Sequence, residues 1–540
     1  MKFTILSKTS STYLLLIVFF IHQLIYISKG GTTWDDFEIY KTTTRVIDKA
    51  YWFFVDRSNS FLGDFNYNLE YYGYLIPIII FLLTNLLSTN EMNLFLFKNI
   101  MNADIISELD LIFLTRNLLL NVYVIVLLIL IYKVICKNES HYFGFLFLIF
   151  LIFIPSFNGH ALFNIKDVPF ALQYLLAVIF VLDSKILTSK VYRNKIPQLI
   201  LIGLVFGSVV LVRFNGYAFL LLISFYLFVI KFRESLKNIK NLFTNWSIIY
   251  ITSFITLIVF SPSAWNDPIF WLKGVYNTQF NLDWLGSTLT NGRYIYATEM
   301  EPSYIFSWFF FRLPLVYTIL FFITILLFIF QKKFDFSKYG KFSLFLIISV
   351  FLLFSIVRPI SYDGIRQYLF LLPFFTFIVV DFFMYINKTY GNKLFMCIFL
   401  PSIFYLIGTQ VSLGEYKYVY FNEIINEAEI TKDCNQIGGC GNWETDYWGF
   451  SIKQLMSTNI ESDNFIYCEP IHIFSTYKER EDLKVKPGTV FVSSLHRKMD
   501  NTLCPSEVYE LNNCEIYHKE EAYLRRSSIN LSYIYQCEKN

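Results

Sequence analysis

Eleven apolar runs divide this sequence, near residues 12–28, 117–136, 142–157, 171–184, 196–213, 217–231, 246–264, 307–330, 342–357, 367–386 and 394–410. A hydrocarbon core of about 30 Å takes roughly 20 residues of helix to cross, and backbone inside it must pair its own N–H and C=O groups. The expected fold is therefore an α-helical polytopic membrane protein with about eleven transmembrane helices. Composition agrees, since 55% of the 540 residues are apolar and only 16% are charged. No P-loop, dinucleotide fingerprint or internal repeat occurs, and no nucleic-acid partner is expected.

The placement of charge says more than its sum. With the N-terminus in the cytoplasm, the inner segments hold 18 Lys and Arg residues, and the short outer loops hold 6 (Lys166, Arg213, Lys273, Arg293, Arg358 and Arg366). That bias fixes the orientation by the positive-inside rule. A twelfth apolar stretch, YGYLIPIIIFLLTNLL at 72–87, would invert every later loop if it crossed, so it is read as a helix lying in or re-entering the outer interface. The first outer loop then runs from 29 to 116. No small-x-small cleavage site follows the first run, which is read as a retained helix.

After residue 410 the apolar runs shorten to strand length and charges become frequent. The chain is accordingly divided into a transmembrane catalytic domain, 1–410, and a soluble, extracytoplasmic α/β domain, 411–540. The second holds Cys434, Cys440, Cys468, Cys504, Cys514 and Cys537, an even number that favours disulfides outside the cytoplasm. Their pairing is not deducible from sequence. Cys136 and Cys397 read as apolar filler in the membrane.

The outer segments place their polar groups on one surface. GTTWDDFEIYK brings Asp35 and Asp36, NGHALFNIKDVPFA brings His160, Lys166 and Asp167, VRFNGY brings Arg213, and RPISYDGIRQY brings Asp363 and Arg366. Lys273, Arg358, Glu301 and the tryptophans read as ordinary interfacial anchors. Arg213 and Arg366 stand at helix ends where lipid phosphates lie. Two adjacent carboxylates repel, so one gains proton affinity unless a cation compensates, which suits a general base. A base beside cations at phosphate depth fits sugar transfer from a polyprenyl-phosphate carrier: the base takes a proton from an acceptor hydroxyl, and the cations stabilise the departing phosphate.

The same residues resemble the GT-C membrane glycosyltransferases, in particular enzymes like protein O-mannosyltransferases and lipid A aminoarabinose transferases (bacterial glycosyltransferase family 39 type). WDDFEIY is similar to their acidic first-loop motif, HALFNIKDVPFA to a His...Lys-Asp-x-Pro second-loop motif, and YDGIRQYLFLLP, YKYVYFNEI and ETDYWGFS continue the likeness in order. The resemblance implies a GT-C fold and an inverting transferase. It places the catalytic base on Asp35 and the second acid on Asp36, with Asp36 standing where Glu is usual. His160, Lys166, Asp167, Arg213, Asp363 and Arg366 are the expected substrate-binding residues.

Expected partners are a polyprenyl-phosphate-linked sugar, an extracytoplasmic acceptor (glycan, lipid or protein) and the bilayer, in a bacterial inner membrane with the active site outside. No cofactor is required by this reading; some family members hold a divalent cation, Mg or Mn. Two other classes compete: a transporter or lipid or polysaccharide flippase, and a non-catalytic polysaccharide-assembly subunit. The C-terminal domain is expected to shape the acceptor side, because the base and the cations all belong to the first 410 residues.

Overall fold

The computed structural model describes residues 9–55, 71, 73–88, 98, 108–184, 195–230, 239–280, 286–425, 430, 441–458, 460, 464–478, 485–495, 504–524 and 527–539. The helices are α1 (Thr9–Ile27), α2 (Trp34–Val55), α3 (Leu75–Ser88), α4 (Glu108–Asn138), α5 (His141–Ile152), α6 (Pro155–Ala161), α7 (Asp167–Asp183), α8 (Ile196–Val210), α9 (Gly216–Ile230), α10 (Ile239–Val259) and α11 (Pro268–Phe280). A two-stranded hairpin, β1 (Ser287–Thr290) with β2 (Arg293–Tyr296), precedes α12 (Tyr304–Arg312), α13 (Leu315–Phe330), α14 (Lys338–Val357), α15 (Leu372–Tyr390) and α16 (Asn392–Leu413).

All eleven apolar runs are helical. Among the described residues, six helices are long and apolar enough to cross a membrane, or eight if each of two bent pairs counts as one span. Two runs read as straight spans are therefore broken. The run at 142–157 bends by 76° between α5 and α6, and the run at 307–330 bends by 112° between α12 and α13. The cause is local: Ile154 precedes Pro155 and Leu313 precedes Pro314, and both take extended backbone, the conformation that a following proline ring imposes.

The stretch read as a single outer loop, 29–116, contains α2 and α3, and its last residues already belong to α4. At 14 residues, α3 spans about 21 Å, short of a hydrocarbon core. It packs against α2 and α4.

Beyond α16, a 3-10 turn (Gly414–Val419) leads to α17 (Ile452–Met456), β3 (Phe465–Tyr467), α18 (Ile471–Tyr477), β4 (Gly488–Leu495), β5 (Asn512–Leu524) and β6 (Ser527–Lys539). The sheet order is β3-β4-β6-β5, with β3 parallel to β4 and the other neighbours antiparallel. Ile452, Phe465, Phe474 and Leu495 fill one face, and Val490, Val492, Tyr533 and Cys537 the other.

Residues 413–450 that are buried, such as Tyr418, Trp443 and Trp448, belong instead to the large core of the helical body. The packing thus changes hands after Phe450, until Ala522, Leu524, Ile529 and Leu531 at the β5–β6 turn rejoin the core of the helical body. Cys468 pairs with Cys504 and Cys514 with Cys537, while Cys136 and Cys397 are free. Cys434, Cys440, Trp284 and the basic residues Lys185, Lys190, Arg193, Lys231, Arg233 and Lys237 lie outside the described residues.

Candidate active site

The tandem acids diverge at the first turn of α2. The Thr33 N–H donates to Asp36 Oδ2 at 2.7 Å, which is the half of a capping box in which an acid reaches back to the residue before the helix. Asp36 also pairs with Arg116 of α4, and only 1% of its side chain is exposed. Beside it lies a slot lined by Ile39, Tyr40, Pro77, Ile80, Phe81 and Thr84, with about 20 Å³ of free space, room for roughly one water. Among the described residues, Asp36 is thereby held as a support for the helix, and the slot beside it has no room for a substrate. This departs from the expectation of a second catalytic acid.

Asp35, one residue earlier and about 100° around the helix, faces the other way. Its Oδ2 accepts from Arg366 Nη1 at 3.0 Å, and 37% of its side chain stays open. Burial alone would push this carboxyl up. Arg366 first, then Lys166 and Arg213, outweigh that and hold it below its usual value.

Arg366 begins the 3-10 turn Arg366–Leu371. Its Nη2 is 3.2 Å from Asp363 Oδ2. Asp363 and Gly364 both have left-handed backbone, at φ 57° and 66°, so the chain turns sharply enough for an acid three residues upstream to meet the guanidinium. Gly supplies this conformation freely, and Asp tolerates it better than most residues.

The second-loop motif builds a buried network behind this pair. Asn164 Oδ1 accepts the N–H groups of Lys166 (3.2 Å) and Asp167 (2.8 Å), which fixes the amide so that Nδ2 donates to Asp167 Oδ2 at 2.9 Å. The same Nδ2 lies 3.2 Å from His160 Nδ1. His160 therefore accepts at Nδ1 and carries its proton on Nε2, 2.9 Å from the Tyr447 hydroxyl. Both ring nitrogens are taken, so His160 is a fixed support. Asp167 ends the network by pairing with Arg213.

Lys166 lies over the Tyr74 ring at 5.9 Å. Burial pushes its ammonium down to about 8, with Asp35 opposing and Arg213 and Arg366 adding to the shift. All eight residues expected from sequence thus fall in two linked groups: Asp35, Lys166, Asp167, Arg213, Asp363 and Arg366, joined by ion pairs and charge interactions, with Asp36 and His160 beside them.

Sequence reasoning missed the contribution of the C-terminal segment. The Trp448 carbonyl accepts the Trp34 N–H at 2.8 Å, directly beneath Asp35, and its indole lies 4.8 Å from the Arg366 guanidinium carbon. Asp446 shapes the turn that presents it: one oxygen accepts the Gly449 N–H at 2.8 Å and the other the Ser451 N–H at 2.9 Å. Tyr477 receives the Thr32 N–H at 2.7 Å, His472 Nε2–H donates to the Trp34 carbonyl at 3.2 Å, and Lys453 pairs with Asp110 at 2.9 Å, both nearly unexposed.

This segment, expected to shape the acceptor side and not to supply the base, also holds the chain that carries Asp35. Its signal was present in ETDYWGFS, but the partners lie hundreds of residues away. By contrast, Arg293 and Glu301 form an exposed pair 3.9 Å apart, as expected of surface groups.

Three buried N–H donors in and beside this charged cluster have no partner among the described residues: Arg213 Nε, Arg366 Nε and Trp448 Nε1. No group of three or more His, Cys, Asp or Glu side chains among the described residues is placed to hold a metal ion. Asp35, Asp167 and Asp363 are each engaged by an arginine, a donor set that does not fit Mg or Mn.

No family model matches the sequence, and no curated protein matches it. Among solved structures the chain is similar to the one described as "Crystal Structure of ArnT from Cupriavidus metallidurans bound to Undecaprenyl phosphate", with a TM-score of 0.49 and 9% identity over 98% of each chain. At that score the likeness says nothing further about this protein.

Proposed function

We propose that this protein is an integral-membrane glycosyltransferase that moves a sugar from a polyprenyl-phosphate donor to an extracytoplasmic acceptor by inverting displacement, with Asp35 as base. The observation that carries the reading is the pairing of one accessible carboxylate, Asp35, with buried cations that retain unpaired N–H groups.

The acceptor hydroxyl meets Asp35, which takes its proton. The hydroxyl oxygen forms a bond to the anomeric carbon as the bond from that carbon to the phosphate oxygen breaks, and the electron pair leaves with the phosphate. Arg366, Arg213 and Lys166 hold the two negative charges of the departing group. Without donor, Arg366 stabilises ionised Asp35 and weakens it as a base. A bound phosphate shares those cations, so the proton affinity of Asp35 rises when the donor is in place. Asp36 and His160 support this arrangement without touching substrate. No step is routed through a metal ion.

The test is a lipid-linked sugar profile of membranes holding wild-type protein, Asp35→Asn, or neither. Asparagine keeps the shape and removes the proton affinity, so turnover falls by roughly 100-fold or more with donor binding retained. Near-normal transfer by Asp35→Asn removes the assignment.

A further inference from the structure

Trp448 is held by its surroundings at three points. Its carbonyl receives the Trp34 N–H, its ring lies against Arg366, and Phe163 packs 5.3 Å from it on a buried face. The side chain is 4% exposed. Its indole Nε1–H nevertheless has no partner among the described residues.

Burying an indole N–H without an acceptor costs free energy, and buried tryptophans ordinarily find one. The adjacent Arg366 leaves Nε unpaired in the same way. Two unpaired donors on two groups in ring contact can both be met by one acceptor with more than one oxygen. The carboxylates of Asp35, Asp363 and Asp167 already pair with arginines, and Asp446 accepts backbone N–H groups of its own turn. A phosphate offers oxygens to an indole N–H and a guanidinium N–H together, with the stronger bond to the charged donor.

We infer that the Trp448 indole N–H is a donor to the phosphate of the sugar carrier, so that the C-terminal segment supplies a direct substrate contact alongside Arg366. The inference rests on the donor reading above. It also makes the ETDYWGFS segment a part of the binding site, where sequence alone placed substrate contacts only before residue 410.

The experiment uses full-length protein in detergent, with farnesyl phosphate as probe and farnesol as the phosphate-free control. Trp448 is replaced by β-(3-benzothienyl)alanine, which keeps the ring size and removes only the N–H, and separately by Trp448→Phe. Wild-type protein binds farnesyl phosphate and discriminates against farnesol. The benzothiophene variant, with unchanged thermal unfolding, binds farnesyl phosphate about tenfold more weakly, the scale of one hydrogen bond to a charged group. Its affinity for farnesol is unchanged.

Equal affinity of the benzothiophene variant and wild type for farnesyl phosphate overturns the contact and leaves the donor reading standing. Failure of wild-type protein to prefer farnesyl phosphate over farnesol overturns both. Should Trp448→Phe not fold, the isosteric replacement decides the question alone.

Discussion

Helix α7 begins at Asp167 and ends at Asp183, and its two ends are charged clusters of opposite character. At the Asp183 end, both carboxylate oxygens accept from the Tyr339 hydroxyl at 3.0 Å, Asn138 adds a donor, and Lys338 forms an ion pair. Nearby, Asp381 accepts from the N–H (3.2 Å) and hydroxyl (3.0 Å) of Ser337. At the Asp167 end, Arg213, Arg366 and Trp448 keep N–H groups unpaired among the described residues, and Asp35 stays partly open.

Similar residue types thus do different work. A saturated cluster pins the ends of α4, α7 and α14 together, with Asp381 in the middle of α15 holding the start of α14. An unsaturated one has capacity for a ligand, because each unpaired buried donor is a cost that a ligand oxygen removes.

The sharpest way to break this contrast is to neutralise one acid from each end. Asp35→Asn lowers transfer by roughly 100-fold or more, whereas Asp183→Asn leaves transfer per folded molecule unchanged and lowers the unfolding temperature. Thermal unfolding beside a transfer assay reads both. A comparable loss of transfer in Asp183→Asn would erase the distinction between the ends.

Next in size, Arg366→Ala and Arg213→Ala each weaken binding of a prenyl phosphate by roughly tenfold or more, the scale of charge-assisted hydrogen bonds, as equilibrium binding checks. Lys338→Ala, at the other end, leaves that affinity as it is.

A smaller effect is expected from pH. Burial lowers Lys166 to about 8, below an unfolded value of about 10.4. Below about 8 the side chain is a cation in the folded protein; above it the proton is lost and so is one attraction for phosphate. Affinity for prenyl phosphate should therefore decline several-fold as pH rises through that region, an estimate for one partly compensated charge. Lys166→Arg, which stays protonated, flattens the profile. The sign for stability is opposite: between about 8 and about 10.4 the unfolded chain binds the proton that the folded chain has released, so Lys166 makes stability rise with pH.

The smallest effect on transfer is expected far from both ends. Cys514→Ser removes the bridge to Cys537 between β5 and β6 and costs the sheet about 2–4 kcal/mol. Denaturation of the sheet shifts while prenyl phosphate binding by the folded protein does not.

Much of the candidate site could be read in the chain because its residues break local rules. Lys166, Arg213 and Arg366 are cations where the charge bias disfavours them, and Asp35 and Asp36 are acids at the mouth of a span. Pro155 and Pro314 mark where two spans break, yet the apolar runs that hold them read as unbroken, and bends of 76° and 112° were not legible, since proline fixes where hydrogen bonding stops while packing sets the angle. The roles within the acid pair were not legible. Which acid joins the charged cluster depends on Arg116, which captures Asp36 from α4, and on Arg366, which meets Asp35 from 331 residues away.

What the sequence by itself determined is the helical body, its apolar runs and the polar residues gathered between them, because burial in lipid allows only self-paired backbone and makes each charge conspicuous. What tertiary structure decided is how those residues divide into supports and reactive groups. Asp36, His160, Asn164 and Asp446 become fixed because every useful acceptor on them meets a partner, while Asp35, Arg213, Arg366 and Trp448 keep capacity. That division depends on hydrogen-bond saturation, a property of groups brought together from distant parts of the chain.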